Sequence, residues 1–410
     1  MMTLRVDMPR LQADIEALAA IGRGGKQGGI YRMAFSDGDM AGRTWLSERL
    51  IQAGLGIHQD GAANLGARLG GDGACVMTGS HIDTVPDAGY LDGALGVICG
   101  MEALRILKER NVSLSRPVEL VAFTDEEGRF GGMFGSQAMS GKLSPGAIHD
   151  AVDASGQSIS EAMAVRGLNA LDALRAQRDP GAIHAFVELH IEQGPVLDHQ
   201  ARPIGLVEAI TGLFRWEVSL TGAANHAGTT PMDMRQDAFQ GLAEFAAEID
   251  RVLEEHGTSR SRATIGRVQL LPGAANVVPG EARFTLEVRD TDAAVLAELG
   301  DAFGRTLFAI CRRRDLNFTH EISSRIEPVA CSSLVMDAIR AASADFEIQA
   351  LPMPSGAAHD TQMIASIAPA GMIFVPSRAG RSHSPEEWTS WAHIETGANV
   401  LLNTLLRLAR

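Results

Sequence analysis

Four times along this chain a short, largely apolar run stops at a cluster of polar and ionisable residues. Ala74-Cys75-Val76-Met77 runs into Thr78-Gly79-Ser80-His81-Ile82-Asp83, and residues 118–123 run into Thr124-Asp125-Glu126-Glu127. Residues 185–189 run into His190-Ile191-Glu192-Gln193-Gly194, and residues 372–375 into a loop ending Ser382-His383-Ser384-Pro385. Runs this short suit strands buried on both faces of a largely parallel sheet, since helices cover both sides of such a sheet. Val97, Met101 and Leu104 keep helical spacing between two of the runs. Ligands in folds of this kind sit beyond the carboxyl ends of the strands, where the chemistry-bearing residues collect here. The expected class is therefore α/β, with a mixed, largely parallel sheet flanked by helices. The first fifty residues read as helices, with Ser36, Asp37 and Asp39 available as caps.

The stretch 211–329 reads differently. Residues 214–220 alternate as a strand, 232–256 are helical, 263–271 and 281–289 read as strands, 291–314 as a helix and 316–326 as a strand. The order β-α-β-β-α-β is that of a ferredoxin-like sandwich. The expectation is a discontinuous catalytic domain, 1–210 with 330–410, interrupted by an inserted α+β domain at 211–329.

Charge narrows the function. Lys and Arg total 36 against 50 Asp and Glu, so 36 − 50 = −14, a poor balance for gripping nucleic acid. No window approaches the roughly 18 apolar residues of a membrane span, and the N-terminus lacks the apolar core of a secretion signal. The four cysteines, Cys75, Cys99, Cys311 and Cys331, form no Cys-x-x-Cys pair. That usage suits a reducing cytoplasm and gives no thiolate metal site. No nucleic-acid or membrane partner is expected.

His81 and Asp83 face the same side of an extended segment, because side chains alternate there. A carboxylate placed so can fix the ring of a metal-ligating histidine. Asp92 precedes a glycine at the start of a helix, in the loop after His81. Glu126 and Glu127 are adjacent at a strand end, costly unless a cation compensates them or their pKa values split. One can ligate while the other faces a water. With His190 and His383 the set is three histidines and two or three carboxylates, which suits Zn²⁺, Mn²⁺ or Co²⁺ without choosing among them.

The runs GSHIDTVPDAGYLDGALGV, DEEGRFGGMFGS, ELHIEQGPVLD, NHAGTTPMDMRQDA, NVVPGEARFTLEVRDTD, MPSGAAHDTQ and IFVPSRAGRSHSP, in that order, resemble the hydantoinase/carbamoylase family of amidohydrolases. That family belongs to the wider clan of dinuclear metal aminopeptidases and aminoacylases. The resemblance implies two divalent ions per subunit, zinc foremost, with manganese, cobalt or nickel as alternatives. Asp92 would bridge them, His81 and His190 serving one and Glu127 and His383 the other. Glu126 would be the general base and Asp83 would orient His81. His226 would steady the oxyanion, Asn276 and Arg289 would hold the substrate carboxylate, and Gln193, the Gly356 backbone and His359 would line the pocket. The implied substrate is a small anion carrying a ureido or amide group: an N-carbamoyl-L-amino acid or β-ureido acid first, allantoate as its rival. An aminoacylase or peptidase of the clan, or a relative that binds without catalysis, stands further back. A homodimer formed through the inserted domain, with His226 supplied in trans, is also implied. One departure is visible: Gly128 and Arg129 are adjacent where the family commonly has a residue between them. The following loop is one residue shorter, which bears on any pocket contact of Arg129 or Phe130.

Overall fold

The computed structural model describes residues 3–26 and 28–410. The chain forms two compact units, one running to Glu208 and resuming over Cys331–Arg410, the other spanning Ala209–Ala330.

In the first unit the central strands are Val118–Phe123, Cys75–His81, Ile183–Ile191 and Ala370–Val375, adjacent in that order and mutually parallel. Antiparallel strands extend both sides: Leu65–Leu69 and Gly56–Gln59 beyond the first, Gly205–Ile210 beyond the last. The sheet is thus mixed and largely parallel. Every residue of Cys75–His81, Val118–Phe123 and Ala370–Val375 is buried, which is why these segments lack the alternation of a one-sided strand. Alternate side chains feed two cores. Val76, Leu120 and Val187 meet Val97, Met101 and Leu104 of the helix Ala94–Glu109 and Leu401 and Leu405 of Trp391–Leu408. Cys75, Met77, Val121 and Phe186 meet Met139 and Ile364 on the opposite face. The helix Asp37–Gln52 begins where the Ser36 hydroxyl accepts from the Asp39 amide.

The second unit holds a four-stranded antiparallel sheet in the order Asn317–Ile326, Gly212–Thr221, Glu281–Asp290, Arg262–Leu271. Numbered along the chain that order is 4-1-3-2, ferredoxin-like. Ala282, Phe284, Leu286 and Val288 face the helices Ala238–His256 and Ala293–Arg314, where Phe245, Leu299, Phe303 and Leu307 complete a separate core. The sequence predicted one helix over 232–256. Instead a short 3₁₀ turn, Met232–Met234, comes first, and the α-helix starts after Asp237, whose carboxylate accepts from the amides of Phe239 and Gln240. Among the described residues no helix is long and apolar enough to cross a membrane.

Candidate metal centre

The parallel order delivers His81 from the end of one strand and His190 from its neighbour, both almost fully buried. Asp92 arrives from the loop before Ala94–Glu109. Its next residue, Gly93, has φ +62°, and a Cβ there would lie 2.3 Å from His81 Nε2, so glycine is required.

The Asp92 carboxylate sits between two groups of donors. Its Oδ1 lies 3.1 Å from His190 Nε2 and 3.7 Å from His81 Nε2, while its Oδ2 lies 3.2 Å from His383 Nε2. His383 Nε2 is also 3.4 Å from Glu127 Oε2. Two ligands about 2.1 Å from one tetrahedral ion stand about 3.4 Å apart, so these separations fit ligands facing a common centre. Two triads result, His81–Asp92–His190 and Asp92–Glu127–His383, sharing Asp92. Oxygen and imidazole donors of this kind suit a divalent first-row ion. Among the described residues buried Glu127 Oε1 and Gln193 Oε1 have no hydrogen-bond partner, which suits a place for a cation or ligand. The residues fit a metal.

Electrostatics agree. Burial, then the carboxylates of Asp360 and Glu127, push Glu126 well above the usual range. Burial and Asp92 do the same to Glu127. Burial opposes ionisation of Asp92, but the imidazoles of His190, His383 and His81 outweigh it and hold its carboxyl well below the usual range. His190 rises to about 9 although burial resists its charge, because Asp92 attracts the proton. The centre draws positive charge, and a divalent cation meets the same demand. Glu126 Oε2 stands 3.4 Å from His81 Nε2, beside the first triad.

Both buried rings are oriented from behind by main-chain carbonyls. His81 Nδ1 faces Asp83 O at 3.0 Å, and His190 Nδ1 faces Ile191 O at 2.9 Å. This corrects the expectation that the Asp83 carboxylate fixes His81, since that carboxylate is 3.9 Å away. It accepts instead from the amides of Glu126, at 3.4 Å, and Glu127, at 3.2 Å. Asp83 therefore positions the Glu pair through its side chain and His81 through its backbone.

Gln193 Nε2 donates to Asp92 Oδ2 at 2.7 Å, so it braces the centre as well as bordering it. Gly356 is exposed, and a Cβ there would meet nothing within 4 Å. His359 is buried, its Nε2 2.9 Å from Ser355 Oγ and its ring edge-on to His190 at 4.6 Å. Burial and the neighbouring His190 keep it neutral, well below the usual histidine range, which suits a packing role. Arg129, beside the shortened loop, is bound by Asp153, Gln157 and the Ala34 carbonyl. The buried acids left unassigned in the sequence include three that bear on these groups. Asp360 is the first carboxylate acting on Glu126. Glu188 takes Ser80 Oγ and Thr361 Oγ1. Glu387 accepts from the amides of Leu91 and Asp92. Position in the motifs MPSGAAHDTQ and ELHIEQGPVLD was the available signal for Asp360 and Glu188; Glu387 lies just past the last motif.

His226, Asn276 and Arg289 belong to the second unit. His226 lies in a two-residue ribbon with Val277, and the Ala227 amide donates to Asn276 O, so His226 and Asn276 are neighbours. The Gly228 amide donates to His226 Nδ1, which leaves the proton of the neutral ring on Nε2. Arg289 is elsewhere. The ribbon continues from the Glu281–Thr221 end of the sheet, whereas Arg289 pairs with Leu213 at the other end. Eight residues at about 3.3 Å each place it about 26 Å along the strand from Glu281. The expected pairing of Asn276 with Arg289 on one carboxylate is therefore not met within one copy of the unit: Asn276 accompanies His226.

A strand-end cluster of imidazoles and carboxylates, with Glu126 beside it, is the site of a metal-dependent hydrolase. The chain belongs to peptidase family M20/M25/M40, a metal-dependent family whose model matches residues 77–407. It is 39% identical to an N-carbamoyl-L-amino acid amidohydrolase of Geobacillus stearothermophilus over 96% of this chain and 98% of that one. It is 35% identical to an allantoate amidohydrolase of Escherichia coli, over 93% of each. An amidase of the hydantoinase/carbamoylase family from Burkholderia multivorans superposes with TM-score 0.91 at 34% identity, covering 99% of this chain and 98% of that one.

Proposed function

We propose that this protein hydrolyses the ureido C–N bond of N-carbamoyl-L-amino acids or β-ureido acids, giving amino acid, carbon dioxide and ammonia, with allantoate as the second candidate. The observation that carries this reading is the pair of ligand triads sharing Asp92, with Glu126 alongside. His81, Asp92 and His190 would hold one divalent ion, and Asp92, Glu127 and His383 another. When bound, such ions polarise the substrate carbonyl and make water a better acid.

The chain's own groups do the rest. Glu126, kept basic by burial and its neighbours, takes a proton from the attacking water and returns it to the leaving nitrogen, a role worth about 10²- to 10⁴-fold. His226 offers its Nε2–H to the oxygen that gains charge, and donors of this kind are worth about 2.7–4 kcal/mol. Arg289 grips the substrate carboxylate through two parallel hydrogen bonds. Gln193 and the Gly356 backbone line the pocket. The separation of His226 and Asn276 from Arg289 along one strand supports a homodimer. In it, one copy supplies Arg289 and the metal centre and its partner supplies His226 and Asn276, since a small ureido acid is far shorter than that strand. Four free, buried cysteines agree with a cytoplasmic setting.

The test is ammonia release from a panel of N-carbamoyl-L- and D-amino acids, β-ureidopropionate and allantoate, beside a metal-stripped control. Metal-dependent turnover of the L-carbamoyl compounds is expected. Faster turnover of allantoate would select the second substrate, and release that survives metal removal would sink the reading.

A further inference from the structure

Asp92 and His383 belong to loops nearly three hundred residues apart in sequence, and one buried side chain joins those loops. Glu387 Oε1 accepts from the Leu91 amide at 2.8 Å and the Asp92 amide at 3.1 Å. Its Oε2 lies 3.0 Å from Ser382 Oγ, which is itself 2.8 Å from Asp92 Oδ2. A seat is built for it at Gly89, where a Cβ would come within 2.3 Å of Glu387 Oε1. The two triads differ in how firmly they are held. His81 and His190 sit in buried strand ends with main-chain carbonyls behind their rings. The His383 side chain is 49% exposed and stands on a loop, with φ 53°.

We infer that Glu387, acting with Ser382, is a positioning residue that sets the metal affinity of the Asp92–Glu127–His383 triad selectively. The inference rests on the two-metal reading above. Among the described residues Glu387 makes no hydrogen bond to His383 or Glu127. It fixes the backbone that carries Asp92 and, through Ser382, the residue before His383. Losing such a support typically costs about 10- to 100-fold in metal affinity. Strand-held His81 and His190 have no comparable need of it.

The experiment is stepwise chelation of the Mn²⁺-loaded protein, counting metal retained per chain by elemental analysis. Wild type should hold two ions. Glu387→Ala should release one of them at a chelator concentration about tenfold lower or less, with the other unmoved. Gly89→Ala, which unseats the carboxyl, should do the same. Glu387→Gln should restore retention, because its amide oxygen still accepts from the two backbone amides and its NH₂ reaches Ser382 Oγ. Two ions leaving Glu387→Ala at wild-type concentrations, both ions weakened together, or a Gln variant no better than Ala would each overturn the inference. So would a wild type that never holds a second ion. A wild type with the expected metal behaviour but no ureido hydrolysis would count against the proposed substrate alone.

Discussion

At the scale of single residues, the centre separates two adjacent glutamates by environment. Glu127 approaches His383 and shares a triad with Asp92, whereas Glu126 lies nearest His81 and has Asp360 for a neighbour. Glu126→Gln should therefore leave bound metal near the wild-type level while lowering kcat by at least about 10²-fold. Elemental analysis beside steady-state kinetics checks this. Glu127→Gln should lose metal. If Glu126→Gln is the variant that loses metal, the two roles are exchanged. The residue types were legible because a metal site needs imidazole and carboxylate, and these clustered after apolar runs. The use each is put to was less so. Asp83 turns its carboxylate to two amides rather than to His81, a choice set by how the Thr124–Glu127 loop lies against it. Glu387 was invisible because its partners, Leu91 and Asp92, are remote in sequence and meet it only in the folded chain.

At the scale of elements, parallel strands were readable because burial on both faces leaves them apolar to their ends. Exceptions inside them carry a load. Glu119 is buried in Val118–Phe123 and meets Arg178, with Arg68 and His58 at 3.3 and 3.2 Å. Burial resists its charge, but the hydrogen bonds to His58 and Arg178 and the charge of Arg178 outweigh burial and lower its carboxyl from 4.5 to about 2. A carboxyl depressed on folding stabilises fully above its unfolded pKa, and that contribution fades as pH falls toward the folded one. Glu119→Gln should thus lower the denaturation midpoint at pH 7, with the difference from wild type shrinking as the pH drops from about 4.5 towards 2. A difference that grows on acidification would contradict the assignment. Element boundaries were less legible. The helix expected from residue 232 starts after Asp237, because that side chain caps two amides.

At the scale of the whole molecule, the inserted unit's topology followed from its β-α-β-β-α-β order, but the spread of its functional residues did not. Sequence motifs put Asn276 and Arg289 thirteen positions apart; the extended strand Glu281–Asp290 carries Arg289 to its far end, away from the ribbon beside Asn276. The proposed homodimer would bring His226, Asn276 and Arg289 together from two copies. Subunit mixing tests this composite site most directly. Glu126→Gln and His226→Ala should each be nearly inactive alone. After exchange about half the dimers are mixed, and each mixed dimer has one intact site because both lesions fall in the other, so activity should return to about a quarter of wild type. Mixing Glu126→Gln with Arg289→Lys should restore nothing beyond the weak activity of the parents, because in the proposed dimer those two residues serve the same copy's site. Recovery with the first pair and none with the second is the predicted result. No recovery with the first pair, once exchange has been verified by an independent tag, would show that each copy completes its own site.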